Sequence, residues 1–318
     1  QLKKLQHVSN LFYSEPQVKA ADLLTKRTGL KKVFFGNSGA EANEAAIKTA
    51  RKYGTTQRGV HVNKIISLAN SFHGRTMATI TATGQEKYQK PYRPLTPGFK
   101  QVEPNNFKAI EDAVTDKTAA IMIELIQGES GVHPMDKEYV EKLRKLCDEK
   151  DIILIFDEVQ TGMGRTGYLF AHQMYGVEPD IFTSAKALGG GIPIGAVCAG
   201  KKVASAFEPG DHGTTFGGNP FATAAGLAVF DIFEKEHLVE NAGKMGKYFK
   251  EKLTELQNKY SDKITDVRNA GLLIGIQLED SIAKTVFNKL FENKMLTSLC
   301  GGNTIRIAPP LIIKETDI

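Results

Sequence analysis

The 318-residue chain has little cysteine and no tryptophan. Its three cysteines, Cys147, Cys198 and Cys300, lie far apart. That excludes a disulfide scaffold and fits thiols in a reducing compartment, so a cytoplasmic location is expected. No apolar run is long enough to span a bilayer and no signal-peptide pattern is visible, so no membrane partner is expected. The seven histidines and three cysteines show no metal-ligand spacing, so no metal site is expected. Excess charge is also small, with a net charge of +5 and a pI near 8.9. The lysines are scattered as on solvated faces, not gathered in a stripe, which argues against nucleic acid as a partner. Repeats and low-complexity tracts are absent. The chain opens on Gln1 and stops at Ile318 within what reads as an element, so a longer parent protein is expected.

What is present is an ordinary globular composition, 41% hydrophobic and 24% charged, in a length that allows two domains or one large one. Strands alternate with helices, which predicts an α/β fold with a mainly parallel sheet. Strand-like runs lie at 32–35, 64–68, 119–124, 152–156, 179–182 and 196–199. Residues 40–53 read as a helix with Ala42, Ala46, Ala50 and Tyr53 on one face. Residues 137–150 read as an amphipathic helix with Tyr139, Leu143 and Leu146 inward and Asp136 as N-cap. Leu238, Ala242, Met245, Phe249, Leu253 and Leu256 recur at helical spacing, as in a helix linking a large domain to a smaller one. The expected division is 1–260 for the large domain and 261–318 for a small C-terminal domain. The smaller part is read as a strand over 271–278, a helix over 283–294 and a strand over 304–307.

Two residues carry the chemical argument. Lys186 follows an apolar strand and precedes Gly189, Gly190 and Gly191. Asp157 ends a second apolar strand. Open α/β sheets bind ligands at the carboxyl ends of their strands. A lysine there can form a Schiff base with an aldehyde cofactor, and an acid can hold a protonated pyridine nitrogen. Alone, the two residues are equally an ion pair, or Asp157 a helix cap. Apolar surroundings at Lys186 would lower its pKa, as a Schiff-base lysine needs.

Four further segments stand around them. Residues 36–42 turn from a strand into a helix through Ser38, Gly39 and Ala40, which suits a phosphate at the helix N-terminus or an ordinary Ser38 cap. In 71–76, Phe72 can stack on a flat ring and Arg75 can clamp a carboxylate, or both are an ordinary core phenylalanine and surface arginine. His73 reads there as a loop histidine. Glu124 and Glu129 follow a buried strand in a glycine-bearing loop, either as functional acids or as a solvated turn. The loop 211–220 offers the Thr214 and Thr215 hydroxyls to a phosphate, or is simply long. Gly195 to Lys201 has P-loop spacing, but Lys202 replaces the magnesium-binding Ser/Thr and the intervening residues read as a strand.

These segments, in this order, resemble the class III aminotransferases, of the type I fold that binds pyridoxal 5'-phosphate (PLP). The resemblance covers 11–311. It also rests on Gly162-Met163-Gly164-Arg165-Thr166-Gly167. It implies a large domain with a mainly parallel seven-stranded sheet flanked by helices, a small α+β C-terminal domain, and PLP as cofactor. Lys186 would form the Schiff base and Asp157 would pair with the ring nitrogen. Gln160 would reach the ring hydroxyl, with Phe72 and Val159 on the two ring faces. Ser38, Gly39 and Ala40 would hold the phosphate, with Thr215 acting on the phosphate of a neighbouring subunit in a homodimer. Thr214 would touch substrate there. Arg75 would take the carboxylate of the amino donor, and Arg306 the α-carboxylate of glutamate. Glu129 would pair with Arg306 when that carboxylate is absent.

His73 stands where ornithine-specific members usually carry tryptophan. The implied reaction moves the terminal amine of N-acetylornithine to 2-oxoglutarate, in arginine biosynthesis. Ornithine, succinylornithine or 4-aminobutyrate are alternative donors. A 1,2-aminomutase or a non-catalytic protein of this fold are further alternatives. Ala187 and Ser130 stand where glycine is common, and the family's N-terminal stretch is expected to lie outside the chain.

Overall fold

The computed structural model describes residues 1–318. In chain order the first strands are β1 (Lys32–Gly36), β2 (Lys64–Leu68), β3 (Phe99–Val102) and β4 (Thr118–Ile123). A small hairpin follows, β5 (Ile126–Gln127) and β6 (His133–Pro134). Next come β7 (Ile153–Asp157), β8 (Ile181–Ser184) and β9 (Gly195–Ala199). The last are β10 (Ile264–Ala270), β11 (Leu273–Leu278), β12 (Ser298–Cys300) and β13 (Thr304–Ile307).

The chain divides into two compact units. The first comprises Gln1–Leu125, Met135–Gln160 and His172–Asp231. The second comprises Ile126–Pro134, Thr161–Ala171 and Ile232–Ile318. The division by residue 260 differs from this one because the helix Leu238–Lys259 packs its apolar stripe on β10 and β11, within the second unit.

The first unit is built on a seven-stranded sheet of order β1-β9-β8-β7-β4-β2-β3. Only β9 runs antiparallel to its neighbours. This is the α/β architecture that the alternating pattern predicts. β4 and β7 are buried throughout, which is why they read as unbroken apolar runs. The helix Gly39–Tyr53 lies against the sheet with Ala42, Ala45, Ala46 and Ala50 fully buried. Such small side chains let the helix axis come close to the strands. β3 escaped the sequence reading because Lys100 and Gln101 interrupt a run of only four residues at the sheet edge. The P-loop-like spacing at 195–201 belongs to β9.

The helix Lys137–Glu149 buries Tyr139, Leu143 and Leu146 as expected. Asp136 occupies its N-cap position, but its side chain makes no cap hydrogen bond.

The second unit holds a four-stranded antiparallel sheet of order β10-β11-β13-β12. Ala242, Met245, Phe249 and Leu253 pack on Val267, Leu272, Ile274 and Ile305. Leu256, assigned to the same stripe by spacing, is 42% exposed. It lies in the last turn of its helix, past the packed stretch.

One close approach positions the site. A Cβ placed on Gly195 would lie 2.2 Å from the carbonyl oxygen of Ser38, the N-cap of the helix Gly39–Tyr53. Only a bare Cα lets β9 and that helix start share the space. Gly195→Ala is expected to cost about 1–3 kcal/mol by overpacking. The urea midpoint, read at unchanged m-value, measures it.

Candidate active site

Asp157 ends β7 opposite Thr183 of β8 and is only 4% exposed. A carboxylate this buried is costly unless donors meet it. Asn43 Nδ2 donates to Asp157 Oδ2 at 2.7 Å, and the His73 Nδ1–H donates to the same oxygen at 2.8 Å. The Val159 N–H donates to Oδ1 at 3.0 Å. The Thr183 hydroxyl lies 3.5 Å from Oδ1, but its single proton goes to Asn43 Oδ1 at 2.7 Å. Oδ1 therefore keeps acceptor capacity for a ligand N–H.

Neither Asn43 nor His73 is assigned a role at Asp157 by the sequence. Asn43 also donates to the His73 carbonyl at 2.7 Å, so one amide joins the helix, the His73 loop, β7 and β8. Its signal was a polar residue on an otherwise alanine-rich buried face. His73, read as a loop histidine, is 2% exposed, and its Nε2 has no partner. Burial pushes its pKa down, but the hydrogen bond and charge of Asp157, with the charge of Glu124, outweigh this and raise it.

Glu124 lies just beyond β4 and accepts the Phe72 N–H at 2.8 Å. Burial pushes its pKa up to about 8. The charge of Asp157 adds to this, while His73, the Phe72 N–H and Lys186 oppose it. Glu124 is thus a buried acid within the electrostatic reach of both Asp157 and Lys186.

Lys186 opens a short 3-10 turn just past β8. Its φ of +48° puts a non-glycine residue in the left-handed region, at a cost of about 1–2 kcal/mol. Strain of this kind gathers at functional sites. Apolar surroundings are not what the structure gives it. Lys186 is exposed, although Ser184, Ala185, Leu188 and Gly189 beside it are buried.

The helix start lies alongside. Ser38 caps it, accepting the Glu41 N–H at 3.2 Å. The amides of Gly39 and Ala40 fall in the first turn, where no intrahelical acceptor exists. A Cβ on Gly39 would lie 2.6 Å from Val159 Cγ1, and one on Gly74 would lie 3.0 Å from Ala40 Cβ. The helix start, the turn after Asp157 and the loop after His73 are therefore in contact. Gln160, next to Val159, is half-buried. Asn37 Nδ2 donates to Thr214 Oγ1 at 2.9 Å, which brings the 211–220 loop to the same helix start. Thr215 is exposed.

Phe72 is half-buried and meets Tyr88 edge-on, with ring centroids 5.7 Å apart. The exposed Arg75 guanidinium lies over the Tyr88 ring at 4.4 Å and over Phe72 at 5.9 Å. In the second unit, Arg306 Nη1 donates to Glu129 Oε1 at 2.6 Å, both side chains being mostly buried.

The family model for class III aminotransferases matches residues 1–318. The chain belongs to the class III aminotransferases. Acetylornithine aminotransferases of Gloeobacter violaceus and Methanocaldococcus jannaschii are each 51% identical over all of this chain and 79% of their own length. Among solved structures, the ornithine aminotransferase of Toxoplasma gondii ME49 aligns with a TM-score of 0.95 at 32% identity, over the whole chain and 77% of its own. The acetylornithine aminotransferase of Elizabethkingia anophelis aligns with a TM-score of 0.87 at 36% identity, over the whole chain and 79% of its own.

As a class III aminotransferase, the chain is a PLP-dependent enzyme. The residues present fit that cofactor. Asp157 Oδ1 has room for a ring N–H, first-turn amides suit a phosphate, and a strand-end lysine carries the amine.

Glu124 supplies a pH test. Its folded pKa lies above the unfolded value, so its contribution to stability is fully present below about 4.5 and is lost as pH rises through about 8. In the cofactor-free protein, Glu124→Gln is expected to gain stability relative to the native sequence as pH rises from 5 to 8. Urea midpoints at the two ends of that window check it, and parallel curves would exclude a neutral buried Glu124.

Proposed function

We propose that this chain transfers the terminal amine of N-acetylornithine to 2-oxoglutarate, giving N-acetylglutamate semialdehyde and glutamate, within arginine biosynthesis. The observation that carries the donor is kinship, because relatives about half identical over the whole chain are acetylornithine aminotransferases. When bound, PLP supplies an aldehyde carbon that takes up an amine and a ring that withdraws electrons from the carbon next to it.

The chain's own residues do the rest. Lys186 Nζ holds the cofactor at rest. Once displaced, it takes the proton from the amine-bearing carbon of the donor and returns it as the acid. Asp157 Oδ1 holds the ring nitrogen in its protonated form, and Asn43 and His73 keep that carboxylate pointed there. Ser38 and the amides of Gly39 and Ala40 hold the phosphate. Phe72 and Val159 flank the ring, and Gln160 reaches its hydroxyl. Arg75 grips the carboxylate at the far end of acetylornithine. Arg306 takes the α-carboxylate of glutamate or 2-oxoglutarate, and Glu129 occupies Arg306 in its absence.

A homodimer in the cytoplasm completes the reading. Leu11, Phe12, Tyr13 and Phe216 of the first unit are 57–93% exposed, and a second copy would cover them. Thr215, exposed in one chain, would then reach the partner's phosphate, and Thr214 the substrate there. The three cysteines are buried without a disulfide, and no helix is long and apolar enough to cross a membrane.

Ornithine is the second reading, favoured by the higher TM-score of the T. gondii ornithine enzyme. A panel of donors with 2-oxoglutarate separates the two. Acetylornithine is expected to lead in kcat/KM, and equal turnover of ornithine would defeat the assignment. Lys186→Ala is expected to lose the borohydride-reducible adduct with PLP. Asp157→Asn is expected to keep the adduct and lower kcat by roughly 10²–10³-fold. Borohydride trapping followed by peptide mapping, and steady-state rates, read these out.

A further inference from the structure

The second unit carries a row of residues that the proposed reaction uses only at one end. In the antiparallel sheet, Arg268 of β10 pairs with Gly275 of β11, Gly275 with Arg306 of β13, and Arg306 with Ser298 of β12. Directly opposed residues share a sheet face. Two arginines therefore stand on one face, about 10 Å apart at two strand spacings, with bare backbone between them.

The hairpin of β5 and β6 presses onto that bare spot. A Cβ on Gly275 would lie 2.8 Å from the Gly131 carbonyl oxygen and 3.1 Å from Val132 Cβ. Arg268 grips the hairpin from one side. Its Nε–H donates to the carbonyls of Gly131 at 2.8 Å and Val132 at 3.0 Å. The guanidinium is itself fixed by Asp266 Oδ2 at 2.6 Å, Gln277 Oε1 at 2.9 Å and Thr304 Oγ1 at 3.2 Å. Val132 has a φ of +61°, a strained backbone for a β-branched residue that only a well-determined setting keeps. At the other side of the same hairpin, Glu129 meets Arg306.

We infer that Arg268 is a positioning residue for Glu129: with Gly275 it seats the hairpin so that Glu129 lies on Arg306, and so sets how hard a substrate carboxylate must compete for that guanidinium. The inference rests on the proposed role of Arg306 as a carboxylate site. A lysine at 268 keeps the charge but has no planar fork to fix against three strands while holding two carbonyls. An alanine at 275 keeps Arg268 and lifts the hairpin from beneath. Both changes displace Glu129 without touching it.

Glutarate tests this, because it has both carboxylates of 2-oxoglutarate and neither an oxo group nor an amine. Its Kd is measured by calorimetry on the PLP-loaded protein, alongside the cofactor absorbance. Arg268→Lys, Gly275→Ala and Glu129→Gln are each expected to bind glutarate roughly three- to tenfold more tightly, with the absorbance kept. A merely structural role for Arg268 would weaken binding or leave it alone. Tightening in Glu129→Gln without tightening in the other two overturns the inference. No tightening in any of the three removes the carboxylate role of Arg306, and the inference falls with it.

Discussion

The first unit depends on satisfying one buried carboxylate. Asp157 sits at the end of a strand that is apolar along its length and is itself almost wholly buried. Its donors come from the helix Gly39–Tyr53, the loop after β2 and the turn after β7. Each must be in place for the others to be correctly spaced. Satisfying Asp157 thus fixes the start of that helix against Val159 and Gly74. The polar network does in one region what side-chain packing does elsewhere, and it does so with direction.

Charge around Asp157 is also arranged. His73 is fully buried, yet Asp157 draws its pKa upward. Glu124 goes up for a different reason, chiefly burial, and so avoids a second negative charge beside the first. A protonated Glu124 can still accept the Phe72 N–H, and that bond holds the loop bearing Phe72 and His73. On the proposed reading, the Asp157 carboxylate faces the ring nitrogen, with the His73 imidazole hydrogen-bonded behind it. That is the polarity a protonated ring needs.

Much of this was legible in sequence, and the failures have causes. β4 and β7 read clearly because strands buried on both faces leave unbroken apolar runs. Lys186 and Asp157 stood out because each ends such a run or follows one closely. Asn43 and His73 did not, because a buried polar residue reveals its purpose only through partners distant in sequence, here 114 and 84 residues away. The exposure of Lys186 has the opposite reason: Ala185 and Leu188 on either side of it are buried, so the local apolar pattern points to burial that Lys186 itself does not share. Leu256 kept the helical period one turn past the point where the sheet stops covering it.

The two units solve one physical problem in related ways. A charged group that must meet a charged ligand loses water when the ligand arrives, and that loss opposes binding. Asp157 has given up its water already, to Asn43, His73 and the Val159 amide, and keeps one oxygen partly open. Arg306 has given up part of its water to Glu129. On the proposed reading, a substrate carboxylate at Arg306 exchanges with a carboxylate already there, so the net change in solvation is small and the outcome turns on geometry. Geometry at that point is set by the hairpin, and the hairpin is held by Arg268 and admitted by Gly275. An enzyme that must accept one substrate by its α-carboxylate and another by its distant end needs such an exchange to be nearly balanced. On that reading, a Glu129 held too firmly would reject glutamate, and one held too loosely would let the donor bind by the wrong end.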